Sequence, residues 1–266
     1  IYIIKYIMKI AICFSGQTRY LEKCYFNFIN NIINCNPECI IDIYVHSWSN
    51  IIFNEDEQKK IFKKYNVKKY KLENEIKFEK NFKYFDEDIY IKNHGKSSID
   101  IYTEGKQCYI DINNDGVKQT KYDALNQYYQ FYSTKKAINL AIQSNINYDL
   151  YIRYRFDNLI ENKIIFKNNI FNLCKNGEYN LLGHQDFLIA NKENIEIYIK
   201  IYDYLDSHLE KYLKHCWAII DDHMYKYSKN YNSNIRHTLF DNNYWFLPND
   251  RLKWRYESEK KIIGNI

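Results

Sequence analysis

Lys9-Ile10-Ala11-Ile12-Cys13-Phe14-Ser15-Gly16-Gln17-Thr18-Arg19 is the stretch that decides the fold. Residues 10–14 are an uninterrupted apolar run, the pattern of a strand covered on both faces, as in a parallel sheet. Ser15-Gly16 closes the run with a tight turn. Beyond it, Leu21, Cys24, Phe28, Ile29, Ile32 and Ile33 recur at helical spacing. A second strand follows over residues 39–45 and ends at His46-Ser47-Trp48. Strand, helix and strand with a crossover of this length make a βαβ unit, so the two strands are expected to lie parallel in one sheet.

Working outward, residues 55–64 read as a helix and 67–72 as a third strand. Residues 78–115 have no clean period, are punctuated by Gly95, Gly105 and Gly116, and read as a long, partly ordered connection. The spacing predicts a long helix over 122–142, with Leu125, Tyr128, Tyr129, Tyr132, Ala137 and Leu140 facing the core. In the strand expected over 149–155, Leu150, Ile152 and Tyr154 alternate with Tyr151, Arg153 and Arg155. Residues 164–171 and 179–182 look strand-like, 191–214 helical, 221–228 a short helix, and 244–247 a short strand before Pro248. The expectation is an α/β fold: one domain over 1–266, with a mostly parallel central sheet flanked by helices. Residues 1–8 are expected to be a frayed or non-native start and 257–266 a frayed tail.

Composition bounds the function. With 46% apolar residues over 266 positions the chain can bury a sizeable core. The net charge of +5 comes from 38 basic and 33 acidic residues, well mixed. That disfavours a nucleic-acid partner, which calls for basic charge gathered on one face, and still suits an anionic small substrate. Seven cysteines at irregular spacing contain no Cys-x-x-Cys pair. They support no zinc site and fit a reducing, cytoplasmic compartment. No run is apolar enough to expect a transmembrane segment.

Four motifs can carry chemistry. Ser15-Gly16-Gln17-Thr18-Arg19 lies where the first strand gives way to a helix. There glycine permits close backbone approach, free N–H groups attract phosphate, and Arg19 can add a bidentate contact. The same residues also fit an ordinary turn. Arg155-Phe156-Asp157-Asn158 ends the central strand. Asp157 can ligate Mg²⁺ or Mn²⁺ bridging a diphosphate, or simply pair with Arg155 to cap the strand. His184-Gln185-Asp186 offers a carboxylate as a base or acceptor-binding group, or as a turn residue. Asp221-Asp222-His223 sets carboxylate beside imidazole, for metal or proton transfer, or marks a helix N-cap. His208, His215 and Cys216 show no partner group and are set aside as a metal cluster.

The opening stretch, followed by Ile41-Asp42-Ile43-Tyr44-Val45-His46-Ser47-Trp48, resembles a family of glycosyltransferases from bacterial surface-polysaccharide clusters and giant DNA viruses. Members open with a strand, Ser-Gly-Gln-x-Arg, and an Asp-hydrophobic-His-x-Trp strand. The strand ending in Arg155-Phe156-Asp157, and Asp186 before an apolar stretch and a helix, are similar to that family too. The resemblance runs from about Lys9 to about Leu247.

It implies a GT-A-like, Rossmann-like fold with a nucleotide-sugar site at the carboxyl edge of the sheet. Ser15, Gly16, Gln17, Thr18, Arg19, Arg153, Arg155 and Asp157 would bind the donor. Asp186, with Asp222 second, would be the catalytic base. The acceptor would be a glycan or lipid-linked glycan. GT-A enzymes hold the metal with Asp-x-Asp; here Asp157 matches the second acid and Arg155 stands in place of the first. Either Asp157 alone holds Mn²⁺ or Mg²⁺, or Arg155 supplies the positive charge directly. Two other classes stay open: a non-catalytic binding module of the same fold, and another group transferase such as a sulfotransferase or nucleotidyltransferase.

Overall fold

The computed structural model describes residues 6–18, 21–49, 54–74, 110–111, 117–118, 121–158, 160, 163–167, 169–178, 180–184, 187–212, 216–229 and 231. The opening stretch forms β1 (Lys9–Ser15), buried on both faces after Lys9. Helix α1 (Leu21–Phe28) follows and widens into a π-helical turn over Ile29–Ile33. Strand β2 (Ile40–Ser49) extends through His46 and Trp48, past the end expected from the apolar run. Helix α2 (Glu55–Lys64) is capped by the Asn54 side chain, which accepts from the Asp56 N–H. It leads into β3 (Val67–Asn74). A short antiparallel pair, β4 (Ile110–Asp111) and β5 (Val117–Lys118), precedes α3 (Lys121–Ile142). Then come β6 (Leu150–Arg155), α4 (Asn169–Lys175), β7 (Leu182–His184) and β8 (Phe187–Ala190). The helices α5 (Lys192–Ile199), α6 (Leu205–Tyr212) and α7 (Cys216–Tyr227) close the described chain.

The sheet has six strands in the order β3-β2-β1-β6-β8-β7. β3, β2, β1 and β6 run parallel, while β8 is antiparallel to both β6 and β7. The α/β architecture with a mostly parallel sheet is therefore as expected. Strand alternation splits the core in two. Ile10, Ile12, Phe14, Leu150, Ile152 and Tyr154 pack on one face, with Phe28 and Ile32 from the α1 segment. Ala11, Cys13, Tyr44, Tyr151 and Leu188 pack on the other, beneath Phe131, Ala137, Ile138 and Ala141 of α3. Burial of the larger of these side chains, worth roughly 1.5–3 kcal/mol each, sets the fold against its chain entropy.

Four expectations need correction. Residues 164–171 are not a strand: 163–167 is irregular and helix α4 begins at Asn169. A short apolar run cannot tell strand from buried helix by period alone. Here Asn36 supplies the partners a ladder would, binding the Ile164 carbonyl and the Phe166 N–H. The strand expected over 179–182 begins instead at Leu182, and β8 follows it. Residues 191–214 are not one helix, since a 3-10 segment over Lys200–Tyr204 separates α5 from α6. The helix expected from 221 begins five residues earlier at Cys216, so Asp221 is no N-cap. Of the start expected to fray, Met8 is buried and the Tyr6 hydroxyl bonds Asp149. Residues 1–5, 244–247 and 257–266 lie outside the described residues.

Candidate functional site at the carboxyl edge of the sheet

The chain leaves β1 for β2 and β3 on one side, then returns past β1 to lay down β6 on the other. Such a reversal makes the loops after neighbouring strands diverge and opens a crevice at their carboxyl ends. At this switch point the Ser15 Cα pairs with His46 on β2 and with Arg155 on β6. The first and second motifs are thereby neighbours, though 140 positions of sequence separate them.

Gly16 turns the chain away from β1 at φ +107°. A Cβ there would meet nothing within 4 Å, so the backbone conformation and not crowding calls for glycine. Its N–H donates to the Ser133 hydroxyl at 2.8 Å and to the His46 carbonyl at 3.3 Å. That N–H is therefore not free for an anion, contrary to the expectation for the turn. The Ser15 and Thr134 hydroxyls lie 3.2 Å apart. Gln17 is half-buried and Thr18 buried, and Arg19 lies outside the described residues.

Ser133 also ties the edge to β3. Its hydroxyl lies 2.8 Å from His46 Nδ1, and His46 Nε2 lies 2.9 Å from Glu73 Oε2. Tyr132 donates to the same carboxylate at 2.9 Å, and Lys71 pairs with it. Burial pushes the Glu73 carboxyl up, but the bonds from Lys71, His46 and Tyr132 outweigh it and hold it at about 2. Burial pulls His46 below the usual histidine range against the pull of Glu73. The carboxylate can only accept, so His46 carries its proton on Nε2, and Nδ1 accepts from Ser133. Acid, imidazole and hydroxyl in series have the connectivity of a nucleophilic triad. Ser133, however, is fully buried in mid-helix and already holds Gly16. The series is a brace joining β1, β2, β3 and α3. Trp48 completes it by stacking on Tyr132, with ring centroids 5.5 Å apart.

At the end of β6, Arg155 grips Asp157 with two bonds, Nε to Oδ1 at 2.8 Å and Nη2 to Oδ2 at 2.7 Å. Both side chains keep some exposure, 26% and 17%. The two carboxylate oxygens thus face a guanidinium, the strand-capping pair foreseen as one alternative. As a metal ligand Asp157 is a poor fit: its charge is already matched and no acid stands at 155. No group of three metal-ligating side chains occurs among the described residues.

Buried polar groups without a hydrogen-bond partner gather close to this edge. Among the described residues they include Thr18 Oγ1, Ser47 Oγ, Tyr154 OH, and Nε and Nη1 of Arg153. Buried polar groups are almost always satisfied, so these atoms are open to water or to a ligand. A cavity of about 290 Å³ lies at the opposite edge, lined by Tyr6, Ile7, Glu38, Cys39 and Lys167 among others. It contains none of those orphaned groups.

The remaining candidates fall elsewhere. Asp222 sits on α7 and meets His208 Nδ1 of α6 at 3.2 Å, an imidazole on another helix and not only the adjacent His223. His223 accepts or donates at Nδ1 with His208 Nε2 at 3.1 Å and meets the Ile197 carbonyl through Nε2 at 3.0 Å. Burial, with the neighbouring His208 charge, depresses it to about 4. The partner that the sequence does not reveal for His208 is thus one turn of α7. Asp186 lies outside the described residues, immediately before Phe187, whose Cα pairs with Tyr154. His46, Glu73, Ser133 and Thr134 escaped sequence reasoning. The signal for the last two was a pair of small hydroxyl residues inside an otherwise apolar helical face. No helix among the described residues is long and apolar enough to cross a membrane. Cys13, Cys24, Cys35, Cys39 and Cys174 form no disulfide among the described residues. No protein-family model matches the sequence, and no curated protein matches it either.

Proposed function

We propose that this chain is a cytoplasmic glycosyltransferase that takes a sugar from a nucleotide-sugar donor, with the donor diphosphate at the carboxyl edge between β1 and β6. The observation that carries the reading is the register pairing of Ser15 with Arg155 at the switch point. It sets a glycine turn beside a partly exposed arginine, and the orphaned Arg153 nitrogens lie two positions back along the same strand. In this reading Arg155 neutralises the charge that develops on the leaving diphosphate, the largest catalytic task in such a transfer. Asp157 is a positioning residue that aims the guanidinium. Gln17, Thr18 and Arg19 line the nucleotide side.

The acceptor oxygen, from a glycan or lipid-linked glycan, bonds to the anomeric carbon. The bond from that carbon to the diphosphate breaks, and the diphosphate leaves with the electron pair. Asp186 takes the acceptor's proton. Arg155 already bonds both Asp157 oxygens, so in this reading the protein supplies the positive charge.

The test is consumption of a panel of nucleotide sugars by purified protein, with and without Mn²⁺. The reading expects release of nucleoside diphosphate from one donor class, persisting in a chelator. Tight diphosphate binding with no donor consumed would leave a binding module. Neither binding nor turnover would reject the site.

A further inference from the structure

Arg153 is a charged residue held almost wholly out of water. It stands in β6 between Cys13 of β1 and Leu188 of β8, and its side chain is 1% exposed. A guanidinium keeps its charge inside a protein and has no acceptor capacity, so only anionic or carbonyl oxygens can satisfy it. Nε and Nη1, which carry three N–H bonds between them, have no partner among the described residues. The flanking positions offer a thiol and an aliphatic chain, neither of which answers a cation. Replacing such a group with an apolar side chain of similar volume is often stabilising. A fold that carries two such nitrogens unpartnered among the described residues is holding them for something else.

Strand alternation shows what that is. Arg153 and Arg155 point to one face of β6, roughly 7 Å apart along the strand. The outer guanidinium is partly exposed at the switch point and the inner one is buried. Two like charges in line, the outer one matched by Asp157 and the inner one unmatched among the described residues, make a seat that deepens inward. We infer that Arg153 is the inner anchor of a diphosphate seat, taking the anionic oxygens of the phosphate that enters past Arg155. The inference rests on the proposed function for the identity of the ligand, and on Arg153 alone for its anionic character.

Thermal melting of the full chain with inorganic pyrophosphate tests it. Without ligand, Arg153→Met should melt about 2–8 °C above the wild type, since it removes an unpaired buried charge. Pyrophosphate at about a hundredfold excess over its dissociation constant should raise the wild-type midpoint by roughly 5 °C or more and leave Arg153→Met unmoved. A variant that melts below the wild type or does not fold, or one that pyrophosphate still stabilises in full, overturns the inference. The wild type supplies a second readout: the Arg153 Nε–H resonance should shift as pyrophosphate is added, and a resonance that stays put overturns it equally. A nucleotide-sugar panel run alongside separates the two claims. Response to pyrophosphate without response to any nucleotide sugar keeps the anion seat and removes the glycosyltransferase reading.

Discussion

The two ends of the same parallel strands treat buried polar groups in opposite ways. At the amino end, Asn36 satisfies three backbone groups, donating to the Ile32 and Ile164 carbonyls and accepting from the Phe166 N–H, each at 2.7 Å. Asp149 accepts from the Lys9 N–H at 2.8 Å and from the Tyr6 hydroxyl, and pairs with Lys175 at 3.3 Å. At the carboxyl end, Thr18, Ser47, Arg153 and Tyr154 each carry a buried polar atom with no partner among the described residues. The amino end is built to hold, and the carboxyl end holds polar groups in reserve. The difference separates groups that hold the sheet together from groups open to a ligand.

The sharpest way to break the contrast is at Arg155. Arg155→Ala should lower the rate of donor consumption about 100–1000-fold, the loss typical for removing one preorganised charge stabiliser. Stability should fall by no more than about 1 kcal/mol, because the pair with Asp157 is partly solvated. Steady-state kinetics with a denaturation curve check both. Asn36→Ala should do the reverse. It strands two carbonyls and an N–H, at about 1–3 kcal/mol for each group left buried and unpaired, so the urea midpoint should drop sharply. The rate constant of the protein that remains folded should be unchanged.

A smaller effect should come from the brace. Glu73 titrates at about 2 when folded, against an ordinary value of 4.5. The unfolded chain therefore takes up that proton at a higher pH than the folded one. The stability supplied by the carboxylate is complete above about pH 5 and is lost as pH falls through 4.5 toward 2. Glu73→Gln should cost roughly 1–2 kcal/mol at pH 7, for a hydrogen bond to a charged group made neutral. The difference from the wild type should shrink across that acid window. Melting curves at several pH values measure it.

The fold was largely legible because its signals are local. The run at residues 10–14 has to be buried on both faces, and the helical spacing after Gly16 leaves one way to cross back. The amphipathic pieces after Arg155 read less well. Ile164, Phe166, Phe171 and Cys174 are all buried, but the first two belong to an irregular segment and the last two to a helix. Distant partners make that difference: Asn36 binds the Ile164 carbonyl and the Phe166 N–H, and the Asn31 carbonyl takes the Ile164 N–H. At the site, Ser15, Gly16, Arg153, Arg155 and Asp157 were visible because charge or glycine interrupts an apolar strand. Whether Asp157 would meet a metal or Arg155 depended on side-chain geometry at a two-residue separation, which sequence leaves open. The Glu73–His46–Ser133 series joins three separate elements and has no local pattern at all. Asp222 misled for the same reason: adjacency in sequence to His223 suggested a pair, while helix packing gave it His208.

The account stands or falls on which edge binds. Amide chemical shifts of the isotopically labelled protein, followed as a nucleoside diphosphate is added, test this most directly. The largest changes are predicted at residues 16–18 and 155–158, with Asn36, Cys39 and Asp149 unmoved. Changes confined to residues 36–40 and 149 would place the ligand at the amino edge and contradict the account.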